Sequence, residues 1–286
     1  MQDYKPICII PARGGSKRIP HKNIKSFCGK PIIAYAIKNA LKSKLDYNVN
    51  PKSKSSLKSS PLFSQVIVST EDKKIAKIAK KYGASVPFMR PKHLADDTTA
   101  TLPVIANVLD SLEALGTPIN DNTPICVLYP TTPLIDSSHI EKSFEVFNRA
   151  SKNSKCEYVF FASQCEKKIL RGFVLDSPNA TNIISSGHCN ATDCNDIIGT
   201  PKMLFKHYEG IRTQDLPSVY LDAGTLYWGR ASAFLTQKPI FSSHSLALVL
   251  DSNHAQDIDT PNDWNLAKAK FLKNLKKQTT KQNEKN

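Results

Sequence analysis

Ile7-Cys8-Ile9-Ile10, running straight into Pro11-Ala12-Arg13-Gly14-Gly15-Ser16-Lys17-Arg18-Ile19-Pro20-His21-Lys22-Asn23, is the stretch that decides the fold. Four apolar residues in a row mark a strand buried on both faces, as in the interior of a parallel sheet. The glycine pair that follows lets the backbone approach an anion with no Cβ in the way, so that main-chain N–H groups can point at phosphate oxygens. Arg13, Lys17, Arg18 and Lys22 add four cations at the carboxyl end of the strand, where open α/β sheets bind their ligands. A triphosphate is the guest this pattern predicts. The loop is not of the Walker A type, because Gly29-Lys30 has no glycine five residues earlier and is followed by Pro31, and it is not a dinucleotide fingerprint either.

Outward from this stretch the alternation continues. Pro31 is expected to open a helix with Ile33, Ala36, Ile37, Ala40 and Leu41 at the 3.6-residue period. Residues 66–68 read as a second strand, and Ile75, Ile78, Ala79 and Tyr82 as one face of a helix stopped by Gly83. Leu102, Ile105, Ala106, Leu109 and Leu112 mark a third helix, and residues 125–128 a third strand. Such alternation predicts an α/β chain with a mostly parallel sheet and helices on both faces, in a single domain spanning residues 1–286. Residues 158–161, 226–228 and 246–250 are further strand candidates. Trp264, Ala267, Phe271 and Leu275 outline a last helix, with Thr260 and Asp263 as a capping box at its start. Two stretches look inserted, residues 43–62 and 176–202, since such connections normally take only a few residues. Residues 276–286 read as a mobile basic tail.

A chain of 286 residues with 40% hydrophobic content can bury an ordinary core, which excludes global disorder. No run of eighteen apolar residues occurs, so neither a membrane span nor a signal peptide is expected, and the cytosol is the default location. The net charge of +14 would suit nucleic acid, the alternative from a different functional class. Much of that excess is segregated, however, in Lys42, Lys44, Lys52, Lys54 and Lys58 and in the C-terminal lysines from Lys268 onward. Runs of this kind are solvated surface, so no nucleic-acid and no membrane partner is expected. The seven cysteines include no C-x-x-C pair and read as reduced thiols, with His188, Cys189 and Cys194 the one cluster worth testing for a metal.

Asp257 and Asp259 alternate around Ile258, so an extended segment would turn both carboxylates to one side and the isoleucine to the core. Two acidic oxygens on one face suit Mg²⁺, which keeps waters and substrate phosphates in its other positions. The same charges are also favourable before a helix N-terminus without any metal.

The run from residue 9 to 24, followed by Gly29-Lys30-Pro31, resembles the CMP-sialic acid synthetases (acylneuraminate cytidylyltransferases). Val68-Ser69-Thr70-Glu71-Asp72, Arg90-Pro91 with Leu94-Ala95-Asp96-Asp97, Tyr129-Pro130-Thr131-Thr132-Pro133 and Asp257-Ile258-Asp259-Thr260 agree with that family in order and spacing. The resemblance implies a Rossmann-like nucleotidyltransferase fold, CTP as co-substrate and Mg²⁺ as cofactor. It assigns Ala12, Arg13, Gly14, Gly15, Ser16, Lys17, Lys22 and Asn23 to the nucleotide, Arg90 and Thr101 to the cytosine ring, and Asp257 and Asp259 to the metal. Lys22, Asp257 and Arg13 become the catalytic residues of an in-line attack by a sugar hydroxyl on the α-phosphorus of CTP.

Within the family, Arg212-Thr213-Gln214-Asp215-Leu216-Pro217, the segment Asp222-Ala223-Gly224-Thr225-Leu226-Tyr227-Trp228-Gly229, and Tyr129 before Pro130 look most like pseudaminic acid cytidylyltransferases. An acidic nine-carbon sugar is then the acceptor, with Arg212 on its carboxylate and Tyr129, Gln214, Asp215 and Asp222 on its other groups. N-acetylneuraminate and legionaminate are the alternative acceptors, because Thr225 stands where the related enzymes usually have Gln and Glu71 replaces an Asp. The family also implies a homodimer, formed through a small excursion at about residues 151–215.

Overall fold

In the computed structural model, β1 (Ile7–Pro11) is buried over its first four residues, as its unbroken apolar run requires. The structure describes residues 5–48, 57–153, 155–176 and 200–283. After the glycine loop, β2 (Ser26–Phe27) pairs with β3 (Lys30–Pro31), and α1 (Ile33–Lys42) follows. Pro31 thus closes a strand pair, and the helix starts two residues beyond it. β4 (Lys44–Asn48) and β5 (Leu57–Pro61) then form an antiparallel hairpin, so the described ends of the 43–62 insertion pair with each other.

β6 (Gln65–Ser69) leads into α2 (Lys73–Lys81), whose first turn is capped by Asp72 accepting from the Lys74 and Ile75 amides. Gly83 stops that helix at φ 97°, a conformation that favours glycine. α3 (Thr101–Ala114) and β7 (Pro124–Leu128) complete the expected alternation. α4 (Ser137–Asn153) was not expected, although Ile140, Phe144 and Phe147 line its buried side.

The remaining strands are β8 (Tyr158–Cys165), β9 (Phe173–Asp176), β10 (Thr200–Met203), β11 (Val219–Arg230) and β12 (Ser245–Leu250). The central sheet has the order β12-β8-β11-β7-β1-β6. β6, β1 and β7 are parallel to one another and β12 is parallel to β8, whereas β11 runs antiparallel to β7. Successive residues serve opposite faces, as strand geometry demands. Ile10, Val68 and Trp228 join a cluster with Ile37, Phe144 and Phe147, while Ile9, Ile67 and Tyr227 join one with Leu109, Val127 and Phe234. Trp228 is fully buried and satisfies its one donor on Ser143 Oγ at 2.9 Å.

The C-terminal helix (Pro261–Asn283) starts at the expected capping box, with the Thr260 amide donating to Asp263 Oδ2 at 2.7 Å and the Asp263 amide to Thr260 Oγ1 at 3.3 Å. It takes in residues 276–283, which were expected in a mobile tail.

The chain divides into two units, one of Met1–Ser163 with Asp222–Asn286 and one of Gln164–Leu221. The second unit is shorter at its start than the expected 151–215 excursion, because residues up to 163 belong to α4 and the central sheet. Within it β9 and β10 pair antiparallel, Thr200 opposite Asp176, closing the described ends of the 176–202 insertion. His188, Cys189 and Cys194 lie outside the described residues. Among the described residues no helix is long and apolar enough to cross a membrane.

A Cβ on Gly229 would lie 2.6 Å from the Phe234 ring and 2.7 Å from that of Tyr158. Gly229→Ala should therefore lower unfolding free energy by about 1–3 kcal/mol through overpacking. A urea denaturation midpoint equal to the parent's would contradict this packing.

Candidate functional site

The loop after β1 is held at both of its ends. Ala12 is buried and its amide donates to Ser69 O at 2.9 Å, tying the start of the loop to the end of β6. Asn23, also buried, donates from Nδ2 to Arg13 O at 2.8 Å and curls the loop back on itself. The Gly14 amide donates to Glu71 Oε1 at 2.6 Å, and a Cβ on Gly14 would sit 2.7 Å from Asp72 Oδ2, so any larger residue would have to displace the Asp72 carboxylate. The amides of Gly15 and Lys17 have no hydrogen-bond partner among the described residues.

The cations of the loop are paired with carboxylates brought from elsewhere in the chain. Arg13 Nη1 donates to Asp97 Oδ1 at 2.5 Å and to Asp96 O at 3.2 Å, and the Lys17 ammonium lies against the other oxygen of Asp97. These two partners, Lys17 first, hold the Asp97 carboxyl below the usual range. Lys22, entering a 3-10 turn (Lys22–Ile24), donates from Nζ to Ile258 O at 2.7 Å and to Asp259 Oδ1 at 3.2 Å. Arg18 reaches the other oxygen of Asp259 at 3.0 Å. Arg13, Ser16, Lys17, Lys22, Asn23 and Asp259 line a cavity of about 410 Å³.

The Asp257-Ile258-Asp259 segment has the alternation its sequence predicts. Ile258 is fully buried against Ile19, Phe27 and Trp264, which leaves the flanking carboxylates on the other side. Asp259 has a cation on each oxygen, whereas Asp257 forms no ion pair among the described residues. Gly224, at φ 58°, packs on Asp257 so closely that a Cβ there would lie 3.1 Å from its carboxyl carbon. Although Asp257 presents surface to solvent, crowding by its surroundings raises its pKa. The Asp259 charge adds to that rise and Lys22 opposes it.

Among the described residues no cluster of three or more His, Cys, Asp or Glu could hold a metal ion by itself. The donors present, one uncompensated carboxylate beside another, fit a hard cation that takes its remaining oxygens from phosphates and water.

Arg90 is buried, and its guanidinium is committed to the end of β6, with Nε on Ser69 Oγ at 3.0 Å and Nη2 on Ser69 O at 2.6 Å. It braces the strand end, so what this position offers a ligand comes from neighbouring backbone. Thr101, the first residue of α3, shares a hydrogen bond of 2.7 Å with the Tyr129 hydroxyl. The Tyr129 ring lies 5.4 Å from that of Tyr227, whose hydroxyl donates to Asp222. Burial raises the pKa of both phenols, keeping them protonated as donors.

The cytidylyltransferase profile matches residues 7–49 and 54–208. The chain belongs to the cytidylyltransferase family. A pseudaminic acid cytidylyltransferase of Campylobacter jejuni is 36% identical over 270 residues, covering 94% of this chain and 97% of that protein. A CMP-N,N'-diacetyllegionaminic acid synthase of Legionella pneumophila is 28% identical over 261 residues, covering 91% and 93%. Among solved structures, a CMP:2-keto-3-deoxy-manno-octonic acid synthetase complexed with CTP covers 94% of this chain and 99% of its own, with a TM-score of 0.59 and 14% identity. A 4-diphosphocytidyl-2C-methyl-D-erythritol synthase covers 94% and 98%, with a TM-score of 0.55 and 11% identity. These two share the fold, which agrees with the expected nucleotidyltransferase architecture.

In this cytidylyltransferase the residues expected at the nucleotide, together with Asp257, Asp259, Tyr129 and Asp222, fall in the first unit, and Arg212, Gln214 and Asp215 fall in the second. There Arg212 Nε donates to Asp215 Oδ2 at 2.8 Å, and Gln214 O accepts from Lys167 at 3.4 Å. Sequence reasoning missed the parts played by Glu71, which holds the Gly14 amide, and Asp97, which clamps two loop cations. The paired acids Glu71-Asp72 and Asp96-Asp97 were the available signal.

The raised pKa of Asp257 means that its carboxyl binds a proton more tightly in the fold than in the unfolded chain. Folding is therefore penalised as pH rises above the usual carboxylate range and through that raised pKa, and the penalty persists at neutral pH. Without metal or nucleotide, Asp257→Asn should melt higher than the parent at neutral pH, with the gap closing below about pH 4, where both side chains are neutral. Calorimetry showing an equal or lower melting temperature at neutral pH would contradict this.

Proposed function

We propose that this cytidylyltransferase transfers CMP from CTP to the anomeric hydroxyl of pseudaminic acid, releasing pyrophosphate. The observation that carries the reading is Lys22 bonded to Ile258 O and Asp259, because it joins the glycine loop after β1 to the Asp257-Ile258-Asp259 segment, whose Asp259 lines the same cavity as the loop cations. The Campylobacter relative, 36% identical over almost its whole length, supports the choice of acceptor.

In this reading the free amides of Gly15 and Lys17, with Ser16 and the cations Arg13, Lys17 and Lys22, hold the triphosphate. As pyrophosphate leaves, charge grows on the bridging oxygen, and fixed cations stabilise it more than they stabilise the ground state. Asp257 and Asp259 would hold Mg²⁺, which when bound neutralises phosphate oxygens and lowers the pKa of the attacking hydroxyl. Asn23 contacts the nucleotide, and the segment braced by Arg90, with Thr101, forms the cytosine pocket. Tyr129, Gln214, Asp215 and Asp222 read the hydroxyl and amide groups of the sugar, and Arg212 offers its guanidinium fork to the carboxylate. CTP as co-substrate implies a cytosolic enzyme.

The chain is also read as a homodimer formed through its second unit. There Phe173, Val174, Leu175, Leu204 and Phe205 are each at least 40% exposed, apolar surface that a second copy would cover. Sedimentation should give a dimer that Leu175→Asp with Phe205→Asp dissociates, and a monomeric parent would sink this reading.

Pyrophosphate release from CTP and Mg²⁺ should be rapid with pseudaminic acid and slow with N-acetylneuraminate and legionaminate. Asp257→Asn and Lys22→Ala should each lower turnover by at least roughly a hundredfold, the scale of losing a key transition-state contact. Faster release with another sugar of the panel would overturn the acceptor, and no release with any of them would overturn the reaction.

A further inference from the structure

Asp136-Ser137-Ser138-His139 and Asp251-Ser252-Asn253-His254 repeat one local pattern at two distant places in the sequence, and the fold brings them together. In each, the aspartate receives Nδ1 of the histidine three residues on: His139 on Asp136 Oδ1 at 2.7 Å, and His254 on Asp251 Oδ2 at 2.5 Å. Each aspartate is itself fixed by its own turn. Asp136 Oδ1 accepts from Ser138 Oγ at 2.7 Å and from the His139 amide at 3.2 Å, and Asp251 Oδ1 accepts from the Asn253 amide at 2.9 Å. The two imidazole rings meet with centres 4.6 Å apart and planes tilted by 49°. Both side chains remain open to solvent, at 19% and 28% exposure.

An imidazole that gives its Nδ1–H to a carboxylate presents a lone pair at Nε2, in a ring whose orientation is fixed. This is the arrangement that orients histidine ligands in metal centres. With metal–nitrogen bonds of about 2.0–2.1 Å, two imidazoles sharing one ion have ring centres about 4.5–5.2 Å apart at octahedral or tetrahedral angles, and the observed separation lies in that range. We propose that His139 and His254 form a binding site for a divalent transition-metal ion of the nickel and zinc class, with Asp136 and Asp251 as positioning residues and water completing the shell. Imidazole favours such ions over Mg²⁺, so this site is chemically distinct from the Asp257 and Asp259 carboxylates. A bound ion would clip the start of α4 to the segment that leaves β12.

The test is calorimetric titration of Ni²⁺ into the full chain, free of magnesium and nucleotide, at neutral pH. The parent should bind one ion per chain and melt higher in its presence. His139→Asn and His254→Asn should each weaken binding at least about tenfold, and Asp251→Asn by about 10–100-fold, the usual cost of removing the group that orients a ligand. Asp257→Asn should bind as the parent does. All these variants keep the seven cysteines, so any uptake by thiols is common to them and cancels. Should His139→Asn fail to fold, His254→Gln, which should also weaken binding at least about tenfold, decides the matter. A parent that binds no Ni²⁺, or folded histidine variants that bind it as tightly as the parent, would leave the rings as a packing contact and overturn the proposal.

Discussion

The site depends on one contact, the Lys22 ammonium held by Ile258 O and Asp259 Oδ1 across a sequence separation of 236 residues. Hydrogen bonds to a charged group contribute about 1.5–3 kcal/mol each, and removing one partner of a largely buried cation costs more than the bond itself. Beneath the contact lies an apolar platform in which Ile19, Phe27 and Ile32 from the start of the chain pack on Ile258, Trp264 and Ala267 from its end. Packing sets the distance between the two segments, and the lysine fixes their register. Neither the glycine loop nor the aspartates would form a cavity alone.

The electrostatics of this cavity rest on ion pairs between the loop and carboxylates from elsewhere in the chain. Four loop cations share the two carboxylates of Asp97 and Asp259, which hold them in place and offset part of their mutual repulsion. In the proposed reaction a polyphosphate, which carries more charge than either carboxylate, would take over these cations and free Asp259 for a metal beside Asp257. Asp257 is the exception to the balance. Among the described residues it forms no ion pair, it sits near Asp259 and Asp222, and its surroundings penalise its charge, as they often do for groups with a chemical task.

Much of this architecture was legible in the sequence because apolar period and buried face are the same fact. The apolar runs of β1 and β7 are buried as the pattern selects, and in α2 and α3 it picks out Ile75, Ala79, Ile105, Ala106, Leu109 and Leu112 but misses Ala76, Val104 and Val108, while Ile78, Tyr82 and Leu102 are only half-buried. α1 begins later than Pro31 suggests, since that proline is used by the pair with Ser26. α4 was overlooked although Ile140, Phe144 and Phe147 carry the helical period, because they are few among the polar residues around them. The reversed direction of β11 could not be read at all, for strand orientation is set by connections and not by local composition. In the site, residue types and spacing pointed to the cations and to the paired aspartates. The contacts of Gly14 with Glu71 and of Arg13 with Asp97 join residues 57 and 84 positions apart, and only the fold puts them together. The partner of Arg90 was equally hidden: its guanidinium turns to Ser69 at the end of β6, 21 positions away, and braces the backbone there.

A crystal structure of the chain grown with CTP and magnesium tests the central claim most directly. The account predicts a triphosphate against the amides of Gly15 and Lys17, with the ammonium of Lys22 turned from Asp259 to a phosphate oxygen and density for a cation on Asp257. Nucleotide bound elsewhere, or saturating CTP that leaves the cavity between Arg13 and Lys22 empty, would contradict it.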